Sequence, residues 1–534
     1  MLLVFTAIAS VAVCFHEAWA DEAQAWLIAR DLGIGGILHQ MGYEGTPPLW
    51  HLLLWGLIRL HLPYVALGAV SLTLMAAGMY IWLRWSPLPA PARLLLPFTF
   101  YYQYQYAVVA RSYALSTLLA FAAIALWRAK PVRMIPLGLV VALLVQTNMH
   151  GFMIAGGIAC AVAWELIQEF RKRGISRNQG SPNQSSRNQA SQSQAWQTGI
   201  AAVCVLVSAA VAKVLATPLP DCSFKAAVQL HKETASGSIG KGLDGLPKLA
   251  IALGLNMTWG IGLLLLFTIW AIAAKKRSFI LPSIAALAVG SAAAYQMSGG
   301  KISFFANGAG VVLLILVLWW FVAVRRVVWA LPFLFTVIAM GLVWSRPWHY
   351  GMALTAFLVS VWGAWPLAES SNWASPTRIL AHALSVLLIL QLPWTAKTVL
   401  DDVRGSYSGA SATAEFLRPY VGSRPIYCTS FYGTGVQAYF DRNIFIDWPA
   451  AFWTWSTRRA AESTRIFYET PPNRAIIVVP TGGQANARFA KSELAREQLT
   501  KRHFVRRREF CGAQFWMGGV SEYECYEIYE RQAR

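Results

Sequence analysis

Residues 47–62 read PPLWHLLLWGLIRLHL, and whether this run crosses a membrane decides how the whole chain is threaded. A helix crossing about 30 Å of hydrocarbon needs about 20 apolar residues. This run is short, opens on Pro47-Pro48 and carries Arg59 and His61 at its end. Thirteen further apolar runs lie at 1–18, 63–83, 93–109, 112–127, 134–149, 151–168, 198–216, 248–272, 278–297, 304–323, 327–344, 349–366 and 378–396. If 47–62 does not cross, the basic clusters all fall on one side: Arg84/Arg93, Arg128 to Arg133, Arg171-Lys172-Arg173, Lys275-Lys276-Arg277, Arg325-Arg326 and Arg378. If it does cross, all of them face outward. Cytoplasmic loops collect Lys and Arg. The sequence therefore predicts thirteen spans, the N-terminus inside, the C-terminus outside, and 47–62 lying in the outer interface on Trp50 and Trp55.

Composition agrees. The chain has 534 residues, 56% hydrophobic and only 13% charged, with a mean hydropathy of +0.45. Soluble proteins are about 25% charged. A single soluble core of this size is excluded, and so is disorder over most of the chain. The formal net charge is +20, but the cations sit between apolar runs, so they set topology and do not imply a nucleic-acid partner. Seven cysteines are scattered, with no CxxC or Cys/His zinc spacing. Residues 1–15 resemble a signal sequence, yet Trp19-Ala20-Asp21 is a poor cleavage site. A retained first span is expected.

The expected fold class is a polytopic all-α membrane domain over 1–398, followed by an extracytoplasmic α/β domain over 399–534. The first outer loop runs 19–62, and a second, 217–247, contains Cys222. A cytoplasmic loop at 169–197 ends in a Ser/Asn/Gln tract, Arg177 to Gln197, expected to be disordered. In the tail, helices are predicted at 409–421, 432–440, 457–469 and 484–502. Strands are predicted at 424–430, 443–447, 474–480, 505–517 and 521–529. Pro480-Thr481-Gly482-Gly483 reads as a turn at a strand end. A Cys511–Cys525 bridge fits the final hairpin, but with Cys428 also present the spacing leaves connectivity open.

Polar groups gather where the outer ends of the spans are expected. The first loop carries Asp21-Glu22 and then Glu44, three residues before Pro47. Acids at a membrane surface are costly. One reading is that Asp21 caps a helix over 22–31 while Glu22 favours its dipole. The other is a paired-carboxylate site, serving as general base or metal ligand. Arg111 and Tyr113 open the fourth span, His150 stands at the outer end of the fifth, Lys301 in a later outer loop, and Arg346 and His349 at the end of the eleventh. Arg111 either snorkels to headgroups or clamps phosphate through its guanidinium fork. His150 reads either as an interfacial hydrogen-bonder or as a ligand. Tail Trp448, Trp453 and Trp455 read as core or as sugar-stacking rings. Carboxylates and cations at one outer face suit transfer from a phosphate-linked lipid: a carboxylate deprotonates an acceptor hydroxyl, which attacks the sugar's anomeric carbon as phosphate leaves.

At these residues the chain resembles the GT-C polyprenyl-phosphate-sugar-dependent glycosyltransferases, in particular protein O-mannosyltransferase and lipid A aminoarabinose transferase relatives in a less characterised bacterial branch. The resemblance rests on Asp21-Glu22, on Glu44 before Pro47-Pro48-Leu49, on Arg111-Ser112-Tyr113-Ala114-Leu115 and on His150, and covers about residues 1–170. Many relatives carry an acid near the Arg111 segment, where Gln103 and Gln105 stand here. The resemblance implies Asp21 as general base, with Glu22 and Glu44 shaping the site or holding a divalent cation. Arg111, with Arg346 or Lys301, would hold the donor phosphate. No cofactor is required by the pattern, and a divalent metal is left open with Glu44 and His150 as its candidate ligands. The implied partners are a polyprenyl-phosphate-linked sugar, an envelope glycan, lipid or protein acceptor, and membrane lipid; the implied location is a bacterial inner membrane. Two other classes compete, a transporter or flippase of lipid-linked glycans and a non-catalytic glycan-binding relative. The expected span centres are clean of acids and no two-fold repeat is apparent, which weighs against a transporter.

Overall fold

A computed structural model of the chain describes residues 1–177, 184–223, 315, 317–342, 346–366, 375–458, 471–482, 487–516 and 519–531. The first part is helical: α1 (Leu2–Phe15), α2 (Ala20–Asp31), α3 (Ile34–Glu44), α4 (Leu49–Arg59), α5 (Leu67–Trp85), α6 (Ala90–Leu95), α7 (Ser112–Arg128), α8 (Met134–Val145), α9 (Met149–Arg177), α10 (Gln184–Leu215), α11 (Leu331–Leu342), α12 (Tyr350–Ala364) and α13 (Ser375–Arg404). Among the described residues, four helices are long and apolar enough to cross a membrane: Tyr64–Trp85, Met149–Arg171, Gln194–Leu215 and Leu380–Arg404. Helices α1 and α2 meet the same criterion only as a pair, and bend by 85° at the break between them. Leu49–Arg59, Ser112–Arg128, Met134–Val145 and Val327–Leu342 are shorter apolar helices. The expected runs at 248–272 and 278–297, and most of 304–323, lie outside the described residues.

Three expectations need correction. The run 93–109 is not one helix but α6, a 3₁₀ turn at Leu96–Phe98 and a π-helical turn at Tyr101–Gln105. Pro97 cannot continue an α-helix, and residues 99–110 are all buried, with the Tyr101, Tyr102 and Tyr106 hydroxyls bonded to the segment Pro347 to Thr355. The Ser/Asn/Gln tract was expected to be disordered, yet 184–197 is helical and runs into the apolar part of α10. Extending a formed helix is far easier than nucleating one, and Gln, Arg and Ala all tolerate it. In the tail, 443–447 makes only a single bridge, Ile426 to Phe445. There Asp447 Oδ1 accepts the Cys428 N–H at 3.2 Å and Asn443 Oδ1 the Phe445 N–H at 3.1 Å, so side chains replace the ladder.

Helix α4 has eleven residues, about 16 Å of rise, roughly half the hydrocarbon thickness. It packs on α2 and buries Trp50, His51 and Leu54. Helix α12 is buried from Gly351 to Ala364, the pattern of a central helix wrapped on all sides. At the opposite end of the bundle, Glu165 pairs with Arg326 and accepts the Trp329 indole N–H at 2.7 Å, which staples α9 to the segment before α11.

The tail opens with α14 (Ala410–Leu417), then β1 (Ile426–Cys428), α15 (Gly433–Gln437), β2 (Ile476–Gly482), α16 (Ala487–Lys501), β3 (Phe504–Trp516) and β4 (Gly519–Arg531). The sheet order is β1-β2-β4-β3, with β1 parallel to β2 and the other pairs antiparallel. Most of the helix predicted at 457–469 lies outside the described residues. Pro480 to Gly482, expected as a turn, continues β2 opposite Tyr526, Cys525 and Glu524. Strand β1 has already ended opposite Val478, so Pro480, which has no N–H, faces a partner on one side only. Cys511 and Cys525 are directly opposite and disulfide-bonded, while Cys428 is free and buried. One sheet face, Ile477, Val479 and Tyr529, packs with Leu499 of α16; the other, Ile476, Val478, Tyr526 and Ile528, joins the core that runs into the helical part.

Where the chain leaves α13, the segment before α14 is joined to β3 by close backbone contacts. The Ala513 N–H donates to Ser406 O at 2.8 Å, and a methyl on Gly512 would lie 2.2 Å from Ser408 N. Gly512→Ala should therefore loosen the joint and cost about 1–3 kcal/mol, read as a lower thermal midpoint in lipid nanodiscs. Gly33→Ala, where the added methyl meets nothing within 4 Å, should leave the midpoint within about 0.5 kcal/mol of wild type; equal shifts would refute the packing argument.

Candidate active site

The site is built on the first turn of α2. Its N-cap is Trp19, and Glu22 reaches back to accept the Trp19 N–H at 3.2 Å. Glu22, not Asp21, closes the cap. It also accepts the Ala110 N–H at 2.5 Å and faces His16 Nε2 at 3.2 Å. With 1% of its surface exposed, Glu22 is committed to structure.

Asp21, one residue earlier, points elsewhere. Its Oδ2 lies 3.0 Å from Arg111 Nη1, and the two side chains keep 24% and 23% of their surface exposed. The contact is ionic without being an aligned hydrogen bond: Arg111 Nη1 is buried with no hydrogen-bond partner. The guanidinium lies 5.3 Å from the Tyr113 ring centre and 5.8 Å from that of Trp348, within cation–π range. The structure thus places Arg111 in a cage of two aromatics and one carboxylate.

Glu44 is the last residue of α3. Gly45 follows at φ +64°, a left-handed C-cap whose N–H returns to Met41 O, and this turn holds Glu44 facing α2. Gln24 and Gln40 donate to Glu44 Oε1 at 2.9 and 3.1 Å. Burial pushes the Glu44 carboxyl up from 4.5 to about 7; the two amides and Arg111 oppose the shift and Asp21 adds to it. Asp21, Glu44 and Arg111 therefore act on one another.

Three more expected residues converge here. The His150 and His349 ring centres are 5.0 Å apart, and Tyr113 lies 6.4 Å from His150 and 5.9 Å from His349. His349 Nδ1 accepts the Arg346 N–H at 3.0 Å, so Arg346 belongs to the same turn. Lys301 lies outside the described residues. Among the described residues, no group of three His, Cys, Asp or Glu at metal-ligand spacing includes Glu44 or His150; the one such group is Glu509, Cys511 and Cys525, whose sulfurs are joined to each other. Trp448 is core, its indole N–H donating to Cys428 O at 3.0 Å.

Sequence reading missed the groups that hold these in place. His16 sits in the break after α1, with Nδ1 2.9 Å from Asp402 Oδ2 of α13. Its Nε2 lies 3.2 Å from Glu22 Oε2, so one imidazole bridges the two acids. Gln24 pairs with the tail through both backbone groups of Trp453, donating to O at 2.8 Å and accepting from N at 2.9 Å. Glu524 of β4 accepts the Tyr526 hydroxyl at 2.5 Å and the Gln514 amide at 3.4 Å. Burial pushes its carboxyl to about 8, with Asp21 contributing, against the lowering effect of the Tyr526 hydrogen bond. Alternation was the available signal: Glu524, Tyr526 and Ile528 share one face of a strand, and Ile528 marks that face as buried.

Compared with protein-family models, with curated proteins and with solved structures, the chain matches none.

The raised carboxyls make a signed prediction. A folded-state acid titrating above its unfolded value favours folding at low pH and loses that contribution as pH rises. For Glu44 the window is from 4.5 to about 7, and for Glu524 from 4.5 to about 8. The wild-type thermal midpoint should fall between pH 5 and 8. Glu44→Gln should flatten the part below 7 and Glu524→Gln the whole window. A decline as steep in both variants as in wild type would show that these groups titrate normally.

Proposed function

We propose that the chain is an integral-membrane glycosyltransferase that moves a sugar from a polyprenyl-phosphate donor to an envelope glycolipid, polysaccharide or protein, inverting the anomeric carbon. The observation that carries this reading is the Asp21–Arg111 contact, partly open and loosely bonded. A donor phosphate competes with Asp21 for the guanidinium. Once displaced, the Asp21 carboxylate takes the proton of the acceptor hydroxyl, whose oxygen attacks the anomeric carbon. The bond from that carbon to the phosphate oxygen breaks, and the electron pair leaves on a phosphate held by Arg111. Tyr113 and Trp348 keep the guanidinium in place. The two histidines beside Tyr113 supply further polar contacts to the bound donor. A divalent cation, where one takes part, would meet Glu44 first.

The reading includes the finer architecture: thirteen spans of GT-C type, α4 in the outer interface, and the site and tail on the non-cytoplasmic side of a bacterial inner membrane. Two features support it. The acids and Arg111 gather at the helix ends, while Glu165 and Arg326 pair near the other end of α9. Four helices have the length and hydropathy to cross a bilayer. A transporter would be expected to place its ionisable groups midway along broken helices.

Mass spectrometry of envelope glycolipids and glycoproteins from a deletion strain should reveal one missing hexose, pentose or amino sugar. Complementation with Asp21→Asn should leave transfer down about 10²–10⁴-fold with the protein still folded in membranes. Arg111→Lys should weaken donor use by losing the fork. Full transfer by Asp21→Asn would remove the base assignment. Alkaline phosphatase fused after Arg534 should be active; cytoplasmic exposure of that fusion would overturn the topology.

A further inference from the structure

Where the tail hairpin meets the turn before α2, a cavity of about 100 Å³ opens beside the candidate site. It is room for roughly seven waters by the volume one water needs, which is the size of a single sugar ring. Trp19, Trp348, Tyr407 and Trp516 supply rings, and Gln105 and Gln514 supply amides. Trp19 is 4% exposed, and its indole N–H is buried with no hydrogen-bond partner. A buried donor left unpaired is unfavourable, and a ligand hydroxyl would satisfy it. Gln105 is also buried, at a position where an acid was looked for.

We propose that this cavity is a subsite for one uncharged pyranose or furanose ring. Flat aromatic walls match the C–H faces of a sugar, and the Trp19 N–H and the Gln105 amide meet its hydroxyls. Charge separates this subsite from the phosphate position. The cavity lining holds no Lys or Arg, and its one charged residue is Glu522, so an anionic group is disfavoured there. Arg111 stacks against Trp348, which is itself part of the cavity wall. A phosphate and a neutral sugar would thus lie on neighbouring sides of one indole. The use made of the sugar rests on the transferase reading; its binding does not.

The test uses the full chain in lipid nanodiscs, avoiding sugar detergents. Saturation-transfer NMR measures the methyl glycosides of glucose, mannose, galactose, N-acetylglucosamine, arabinose and glucuronic acid. At least one neutral glycoside should bind, and the glucuronide should not. Trp19→Phe should weaken binding roughly 5–10-fold, the loss of one hydrogen bond. Gln105→Leu provides a second arm should Trp19→Phe fail to fold. Arg111→Ala should leave glycoside binding intact while abolishing binding of undecaprenyl phosphate. The polyprenyl-phosphate form of the bound sugar is then added. Displacement assigns the ring to the donor, and simultaneous binding assigns it to the acceptor. Absence of binding by every neutral glycoside, equal binding of the glucuronide, or binding unchanged in both Trp19→Phe and Gln105→Leu would overturn the proposal. Glycoside binding by the wild type with no transfer from the polyprenyl-phosphate form of any bound sugar would instead remove the transferase reading and leave the subsite standing.

Discussion

A buried carboxylate–imidazole–carboxylate chain holds together the end of the molecule that carries the candidate site. Glu22, His16 and Asp402 have side chains 1%, 4% and 0% exposed, and they join the end of α1, the start of α2 and the end of α13. Tyr104 adds its hydroxyl to Asp402 at 3.0 Å, and Glu22 takes the Ala110 N–H. A cluster of ionisable groups in a dry place depends on hydrogen bonds to its oxygens: both Glu22 oxygens are used, and Asp402 uses Oδ2 while its Oδ1 has no partner. Removing any one member strands the others. The 85° bend after α1 follows from this arrangement, since His16 must face α13 while Glu22 caps α2.

That network explains why two adjacent acids have opposite fates. Glu22 is used up by three partners, His16, the Trp19 N–H and the Ala110 N–H, while Asp21 sits on the next face of the helix turn and meets only Arg111 among the cations described. From the sequence the pair is indistinguishable, and capping by Asp21 was as reasonable a reading as any. Which acid caps depends on the third position of the helix, and that depends on where the helix starts. The start at Ala20 is held by the Thr434 hydroxyl, more than 400 residues away. Local pattern cannot supply it.

The parts of the fold that were legible are those governed by period and length. Apolar runs mark α5, α9 and α13, the brevity of 47–62 marks α4 as too short to cross, and alternation marks β2, β3 and β4. Arg111, Tyr113, His150 and His349 were legible as polar groups at helix ends, and the structure brings them into one cluster. Illegible were the pieces whose conformation is set by distant partners. The 93–109 run has the hydropathy of a span, yet Tyr101, Tyr102 and Tyr106 each spend a hydroxyl on the segment from Pro347 to Thr355, and the backbone breaks to allow it. Similarly, Pro480 reads as a turn residue until β1 is known to end two pairs earlier.

The tail is where sequence and mechanics part most clearly. A change of composition near 399 separates it from the apolar helices, and its sheet has a core of its own. Mechanically, however, it grips α2 along much of its length. The Thr434 hydroxyl donates to Ala20 O, Gln24 is clamped by Trp453, and Arg30 reaches Phe440 O. Gln24 is shared, since the amide that binds Trp453 also donates to Glu44. A displacement of the tail is thus transmitted to both acids: to Asp21 through the first turn of α2, and to Glu44 through one side chain. An appended binding module would need no such grip. A domain that fixes the orientation of the helix bearing the candidate base has to be rigid at the joint, and the close backbone approach of Gly512 to Ser408 provides that rigidity.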